Sequence, residues 1–346
     1  MSAPDAGRWL TLPGLALPWN RRATGVAVLA LLGVGVATLL ALTLGELGVA
    51  LRALPAVLAG EGSRIEQWTV FDNRLPRALV AIGAGAALGM SGAIFQSVTR
   101  NPLGSPDIIG LNAGAAAGAV ATSLVWPGVV PVPVGALLGG AVAVGLVLLG
   151  SGRGFAAPYR MVVIGIGVGA MAIAFVQYAM TRARREDATE IAAWISGSLA
   201  ARSWSDVTLV AVALVVLVVL ALLCTRGLQQ VEMGDDVALA LGSRPGRVRA
   251  GAVAVGVGLS AAAVVVAGPI AFVALVAPQV GRRLTLSTGP GLVVAAALGA
   301  LLLSVADLLA VHLPWTSPLP TGIVTAGLGG VYLAALLVRE WRRGTT

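Results

Sequence analysis

The stretch LPRALVAIGAGAALGMSGAIFQSV, residues 75 to 98, sets the frame for the whole chain. About 20 apolar residues are needed to cross the hydrocarbon core of a bilayer as a helix, and an unpaired backbone amide in lipid costs several kcal/mol, so the run reads as a membrane helix. Inside it, GAGAALGMSGA (83 to 93) sets glycine at spacings of two to four, as does GIGVGAM (165 to 171). Such spacing lets helix backbones approach closely, because association in lipid rests on van der Waals contact. The pattern predicts a many-helix bundle with tight crossings. It does not predict a dinucleotide site, since a GxGxxG-like run needs a strand before it and a helix after it.

Nine further runs are found, at roughly 24–44, 107–126, 129–149, 158–180, 207–224, 248–267, 270–284, 290–311 and 320–338. The run at 270–284 is short, opens on Gly268-Pro269 and contains Pro278, so it is expected to be broken or partly re-entrant. The first run follows Arg21 and Arg22 and is too long for a cleaved signal, and it reads as a retained helix. The composition agrees: 58% of the 346 residues are hydrophobic and 11% charged, against about a quarter charged in soluble domains. The fold class is an all-α polytopic membrane protein of about ten transmembrane helices.

All 23 basic residues are arginine. With both termini in the cytoplasm, fifteen fall on inner segments and eight on outer ones, the bias expected when cationic loops stay inside. The organisation is then an N-terminal cytoplasmic segment (1–23), a transmembrane domain (24–340) and a short tail (341–346). Two outer loops stand out. Residues 46 to 74 include LGVALRALPAVLAG, a surface helix by its pattern, and residues 182 to 206 carry another helix-like stretch and two tryptophans suited to the interface.

Several chemistries are excluded. A lone Cys224 leaves no disulfide framework, and His312, the only histidine, cannot build a site of several imidazoles. No GxxxxGK[ST] motif occurs and there is no lysine, so the chain does not split ATP as a P-loop enzyme does. Within the spans the only carboxylate is Asp307, which argues against a proton relay. If this protein pumps, the energy comes from a partner.

Three polar stretches carry the remaining signal. In QQVEMGDDVALALGSRPGRVRAG (229 to 251), Asp235 or Asp236 is placed to cap a helix ahead of VALALG, Gly242 to end it and Pro245 to start the next. Such a helix could fit a groove of another protein, or form a solvated loop whose acids only cap. In FDNRLPRALVAIG (71 to 83), Arg74 and Arg77 lie one turn apart, either as anchors to headgroups or as partners for carboxylates on a docking protein. TRNPLGSPDIIG (99 to 110) forms a rigid turn in which Asp107 is expected to cap the third helix, and Pro158 suits the first turn of the fifth. SGAIFQSVTRNPLGSP (91 to 106) and AGPIAFVALVAPQVGRRL (267 to 284) also share a weak repeat, a Gly, an apolar-aromatic patch, a Gln and basic residues.

Five ordered motifs, RLPRALVAIGAGAALGMSGAIFQSVTRNPLGSPDIIG, WISGSLAARSW, MGDDVALALG, AGPIAFVALVAPQVGRRL and LPTGIVTAGLGGVYLAALLVRE, make the chain from about 70 to 340 resemble the permeases of bacterial ATP-driven importers for iron siderophores, haem and cobalamin. The wording of RNPLGSPDIIG, EMGDD, ALVAP and LGGVYL leans towards ferric catecholates. The resemblance implies a type II importer permease of ten helices in the bacterial inner membrane, paired with itself or a paralogous permease. Its other partners would be two cytoplasmic ATPase subunits, a periplasmic or lipid-anchored substrate-binding protein and membrane lipid, with no nucleic acid. No cofactor would bind directly: ATP and Mg would sit on the ATPase, and iron would pass only as the siderophore complex.

By the same resemblance, Arg74 and Arg77 would meet glutamates of the binding protein. Residues 226–250 would form the coupling helices, with Gly234, Asp235, Asp236, Ala238, Leu241 and Gly242 seated in the ATPase groove. Asn101, Leu103, Pro158 and Tyr159 would narrow the inner gate, and Gln177, Tyr178 and Thr321 would line the path. Two departures stand out. Many relatives have His where this chain has Gln279, and some carry an arginine before the last helix, where Val311 and His312 stand here. Other readings are a haem or cobalamin importer of the same architecture, an ion-coupled secondary transporter, or a membrane-embedded enzyme.

Overall fold

In the computed structural model, which describes residues 8–12, 15–45, 48–152, 158–184, 191–192, 194–287, 289–313 and 319–344, the chain is a bundle of helices. A short antiparallel hairpin, β1 (Arg8–Leu12) with β2 (Leu15–Trp19), precedes it. Then follow α1 (Arg21–Thr43), α2 (Leu54–Leu58), α3 (Arg64–Gln67), α4 (Leu75–Thr99), α5 (Leu111–Val125), α6 (Val132–Ser151) and α7 (Pro158–Arg182). The second half comprises α8 (Trp204–Glu232), α9 (Asp235–Ala240), α10 (Pro245–Ala267), α11 (Val273–Thr285), α12 (Leu292–His312) and α13 (Thr321–Gly344). Each of the ten apolar runs corresponds to a helix. Among the described residues, seven helices are long and apolar enough to span a membrane, and α5 and the described part of α13 are shorter apolar helices.

Helix α4 is the axis of the bundle. It packs against α8, α10, α11 and α12, and nearly every residue from Val80 to Val98 is buried. Its glycines explain how. A Cβ on Gly92 would stand 1.7 Å from the carbonyl oxygen of Ala274 in α11, and one on Gly85 would stand 2.4 Å from that of Gly299 in α12. Backbone meets backbone at both crossings, the close approach that small residues permit in lipid. Helix α8 is the opposite case, apolar and mostly exposed, as a lipid-facing helix must be.

The structure corrects several boundaries. The loop expected at 46–74 is helical in its second half: α3, opened by a Ser63–Glu66 capping box, runs through a π turn (Trp68–Arg74) directly into α4. Helix α8 continues eight residues past the expected end at 224, so Gln229 and Gln230 are helical. The short run begins late: the chain breaks after Gly268 (φ 71), Phe272 takes a left-handed conformation (φ 69), and only then does α11 start. Its 13 residues extend about 20 Å at 1.5 Å each, too little to span the core. The helix-like stretch at 182–206 falls partly outside the described residues.

Candidate functional site

Two polar clusters lie at opposite ends of α4, whose 25 residues separate them by about 37 Å. The first surrounds α9. Its N-cap is Gly234 (φ 119), and no side chain caps it. This corrects the expected Asp cap: Asp235 and Asp236 occupy the first turn, where they still favour the positive end of the helix dipole. The Asp235 carboxylate turns instead to Arg249 of α10, whose Nη1 lies 3.0 Å from Oδ2, and to Arg100, just past the end of α4. Arg249 is only 3% exposed, so without that carboxylate it would be a buried unpaired charge. Arg100 also donates through Nε to the Val231 carbonyl at 2.8 Å. The hydrogen bond from Arg249, with the charges of both arginines, holds the Asp235 carboxyl below its ordinary value.

With Asp235 turned towards Arg249 and Ala238 buried, α9 and its C-cap leave Asp236, Val237, Leu239 and Leu241 exposed. Gly242 (φ 78) then turns the chain, and Pro245 opens α10. A six-residue helix with exposed apolar side chains is thus fixed to the bundle by an ion cluster.

Beside this cluster, α4 and α11 brace one another. Gln96 Nε2 donates to the Leu275 carbonyl at 3.0 Å, and its Oε1 accepts from Arg282. Gln279 Nε2 donates to the Pro102 carbonyl at 2.7 Å, and its Oε1 faces the Tyr332 hydroxyl of α13 at 3.4 Å. The Arg283 guanidinium lies over the Tyr332 ring. The two segments with the weak sequence repeat therefore meet in space.

The turn after α4 carries Asn101 and Leu103, both exposed; Asn101 Oδ1 accepts from the Leu103 amide at 2.9 Å. Asp107 does not cap α5. It sits in a 3-10 turn (Pro106–Ile109), and Gly110 (φ 74) takes the N-cap position because the chain needs a left-handed residue there. Pro158 begins α7 and Tyr159 is exposed beside it. Further along α7, Gln177 and Tyr178 lie on an exposed face, with Arg182 over the Tyr178 ring at 5.6 Å.

The second cluster is at the Arg77 end. Arg77 grips Asp307 of α12 bidentately, Nε to Oδ2 at 2.8 Å and Nη2 to Oδ1 at 2.7 Å. Oδ1 also accepts from the Thr321 hydroxyl at 2.8 Å. Asp307 is 7% exposed and Thr321 is buried, so Thr321 faces α12 within this chain. Arg74 donates to the carbonyls of Ala41, Leu42 and Leu44, where α1 leaves its last carbonyls without helical partners. Both arginines are therefore engaged inside the chain. At the departure noted in the sequence, His312 Nδ1 lies 3.0 Å from the Leu308 carbonyl.

Sequence reasoning missed the partners. Asp307 was visible as an acid within a span, a signal in itself. Its link to Arg77 crosses 230 positions and has no local trace.

Comparison with known proteins adds a family. The profile described as the FecCD transport family matches residues 31–339. The ferric enterobactin transport system permease protein FepG of Escherichia coli K12 is 44% identical over 289 residues, 83% of this chain and 88% of FepG. The Fe(3+)-citrate import system permease protein YfmE of Bacillus subtilis 168 is 34% identical over 311 residues, covering 89% of this chain and 93% of YfmE. The iron(3+)-hydroxamate import system permease protein FhuG of the same organism is 32% identical, covering 87% and 92%. Among solved structures, a chain of a metal-chelate type ABC transporter in an inward-facing conformation shares the fold, with TM-score 0.76 at 24% identity over 91% of this chain and 99% of that one.

Proposed function

From the premise that this chain belongs to the FecCD transport family, we propose that it is the permease subunit of an ATP-binding-cassette importer that carries a ferric siderophore across the bacterial inner membrane. The observation that carries the reading is α9: a short helix with Val237, Leu239 and Leu241 exposed, pinned to α4 and α10 through Asp235. Exposed apolar side chains on a firmly held helix are what a groove of a cytoplasmic ATPase needs in order to push on the bundle. ATP and Mg belong to that partner, and no bond of the substrate is broken by this chain. Iron passes only as the chelate.

The cluster at Arg77 then faces the outside, where a binding protein delivers the chelate. The path runs between two permeases, the second being a paralogue or a copy of this chain, which would cover the exposed faces of α7 and α13. The higher identity to FepG than to the citrate and hydroxamate permeases supports a catecholate as the ligand. A midplane ion site receives no support, since Asp307, the acid within a span, is committed to Arg77 and Thr321.

Pull-down from native membranes with mass spectrometry identifies the partners. Uptake of iron-55 ferric enterobactin, ferric hydroxamate, haem and cobalamin into vesicles holding ATP then separates the ligands. ATP-dependent uptake of the catecholate alone is expected. Accumulation without ATP, abolished by a protonophore, would replace the reading with an ion-coupled carrier.

A further inference from the structure

The Arg77–Asp307–Thr321 cluster joins three helices and two environments. Asp307 sits in an apolar bundle, where a carboxylate persists only if it is paired and hydrogen-bonded. It has both: two bonds from Arg77 and one from Thr321, the first residue of α13. Arg77 differs from Asp307 in that its side chain is 22% exposed. Its Nη1 has no acceptor among the described residues. Arg202 lies close by, its guanidinium held below its ordinary value by burial and by the charge of Arg77, with Asp206 acting the other way. The Arg77 guanidinium therefore lies between a buried acid and a second, part-buried arginine.

Thr321 sits where a small shift would matter. The head of α13 is held by that hydroxyl and by the Gly322 amide, which donates to the Gly197 carbonyl at 2.9 Å. A Cβ on Gly322 would stand 2.0 Å from the Ser196 carbonyl oxygen, so this turn is seated against the 196–197 loop. Farther along, Tyr332 of α13 faces Gln279, which holds the Pro102 carbonyl. One helix thus connects the Arg77 end to the turn after α4.

We propose that Asp307 is a positioning residue for transport, tying the outward-facing Arg77 guanidinium to Thr321 so that an acidic surface engaging Arg77 from outside changes the seating of α13. The proposal rests on the reading above that Arg77 faces the binding protein. A carboxylate arriving at Arg77 Nη1 pulls the guanidinium outward, away from Asp307 on Nε and Nη2. Asp307 then leans on Thr321, and the head of α13 shifts with it.

The test uses the full transporter in nanodiscs, with the binding protein recovered by pull-down and loaded with ferric enterobactin. A spin label is placed at Val331 of α13, exposed in the single chain and facing the second permease in the transporter, after Cys224→Ser and Val331→Cys. Binding affinity, the ratio of stimulated to basal ATP hydrolysis, and the label spectrum are read together. Thr321→Val is expected to keep binding within about threefold while lowering the stimulation ratio at least tenfold and removing the spectral change, with Thr321→Ser restoring both. Asp307→Asn should behave like Thr321→Val. Wild-type stimulation and a wild-type spectral change in Thr321→Val would overturn the proposal. So would a parent label that does not respond to the binding protein, a readout that needs no cluster variant to fold. The underlying docking reading fails separately, if Arg77→Ala leaves binding affinity unchanged.

Discussion

Gln96 of α4 and Gln279 of α11 each donate an amide hydrogen to a backbone carbonyl of the segment that carries the other, Gln96 to Leu275 and Gln279 to Pro102. A glutamine can donate and accept at once, and Gln279 uses both capacities, the second towards Tyr332. Neutral histidine can also do both, but imidazolium can only donate. Gln279→His is therefore expected to transport normally at pH 8 and to slow as pH falls through about 6.5, the ordinary histidine value. The pH profile of vesicle uptake checks this; equal slopes for variant and parent would remove Gln279 from the mechanism.

Asp235→Ala leaves Arg249 buried without a carboxylate, and a cost of about 1–3 kcal/mol is expected for such an orphaned group. Thermal unfolding in detergent should show it, together with loss of ATPase association. Asp236→Ala, on the exposed side of α9, should change stability by no more than about 0.5 kcal/mol, as surface changes usually do. Equal effects of the two on stability would contradict the inward and outward assignment.

The same cluster has a defined pH dependence. Asp235 has a lowered folded value, so its contribution is complete above the ordinary carboxylate range and is lost only as pH falls through the lowered value. Between pH 6 and 8 the association of the ATPase should be flat. A midpoint in that interval would assign the cluster to another group.

Gly92→Ala should be severely destabilising, since its Cβ would fall 1.7 Å from the Ala274 carbonyl oxygen and α4 would have to leave α11. Gly145 of α6 has nothing within 4 Å of an added Cβ. Gly145→Ala is thus expected to be neutral or to stabilise by up to about 1 kcal/mol through helix propensity. Folded yield after solubilisation measures both, and similar yields would mean that α4 and α11 can part cheaply.

Much of the fold was legible because hydrophobic run length is a strong local signal in a membrane protein. The ten helices followed from it, and the turn at Gly242 and the start at Pro245 followed from the helix-ending and helix-starting habits of glycine and proline. Errors came where two local rules compete. Asp235 is a good cap by type, but Gly234 supplies the left-handed geometry and Arg249 offers the carboxylate a charged partner. Asp107 lost its cap role likewise to Gly110. Residues 64–74 read as a loop because Arg64, Glu66, Asp72 and Arg74 interrupt the apolar pattern, yet the backbone stays helical across the π turn. What lay beyond any local reading was pairing at a distance, Arg77 with Asp307 and Gln96 with Leu275, which only the packed bundle brings together.

The glycine-lined crossing of α4 on α12 has a mechanical consequence. Gly85 and Gly299 put peptide planes in contact, so sliding by one helical turn would drive a side chain into a carbonyl. Helices α4, α10, α11 and α12 therefore act as a stator. Helices α7 and α13, which make no such carbonyl-to-glycine crossing with α4, are the parts of the bundle that can be reseated while this frame stays intact.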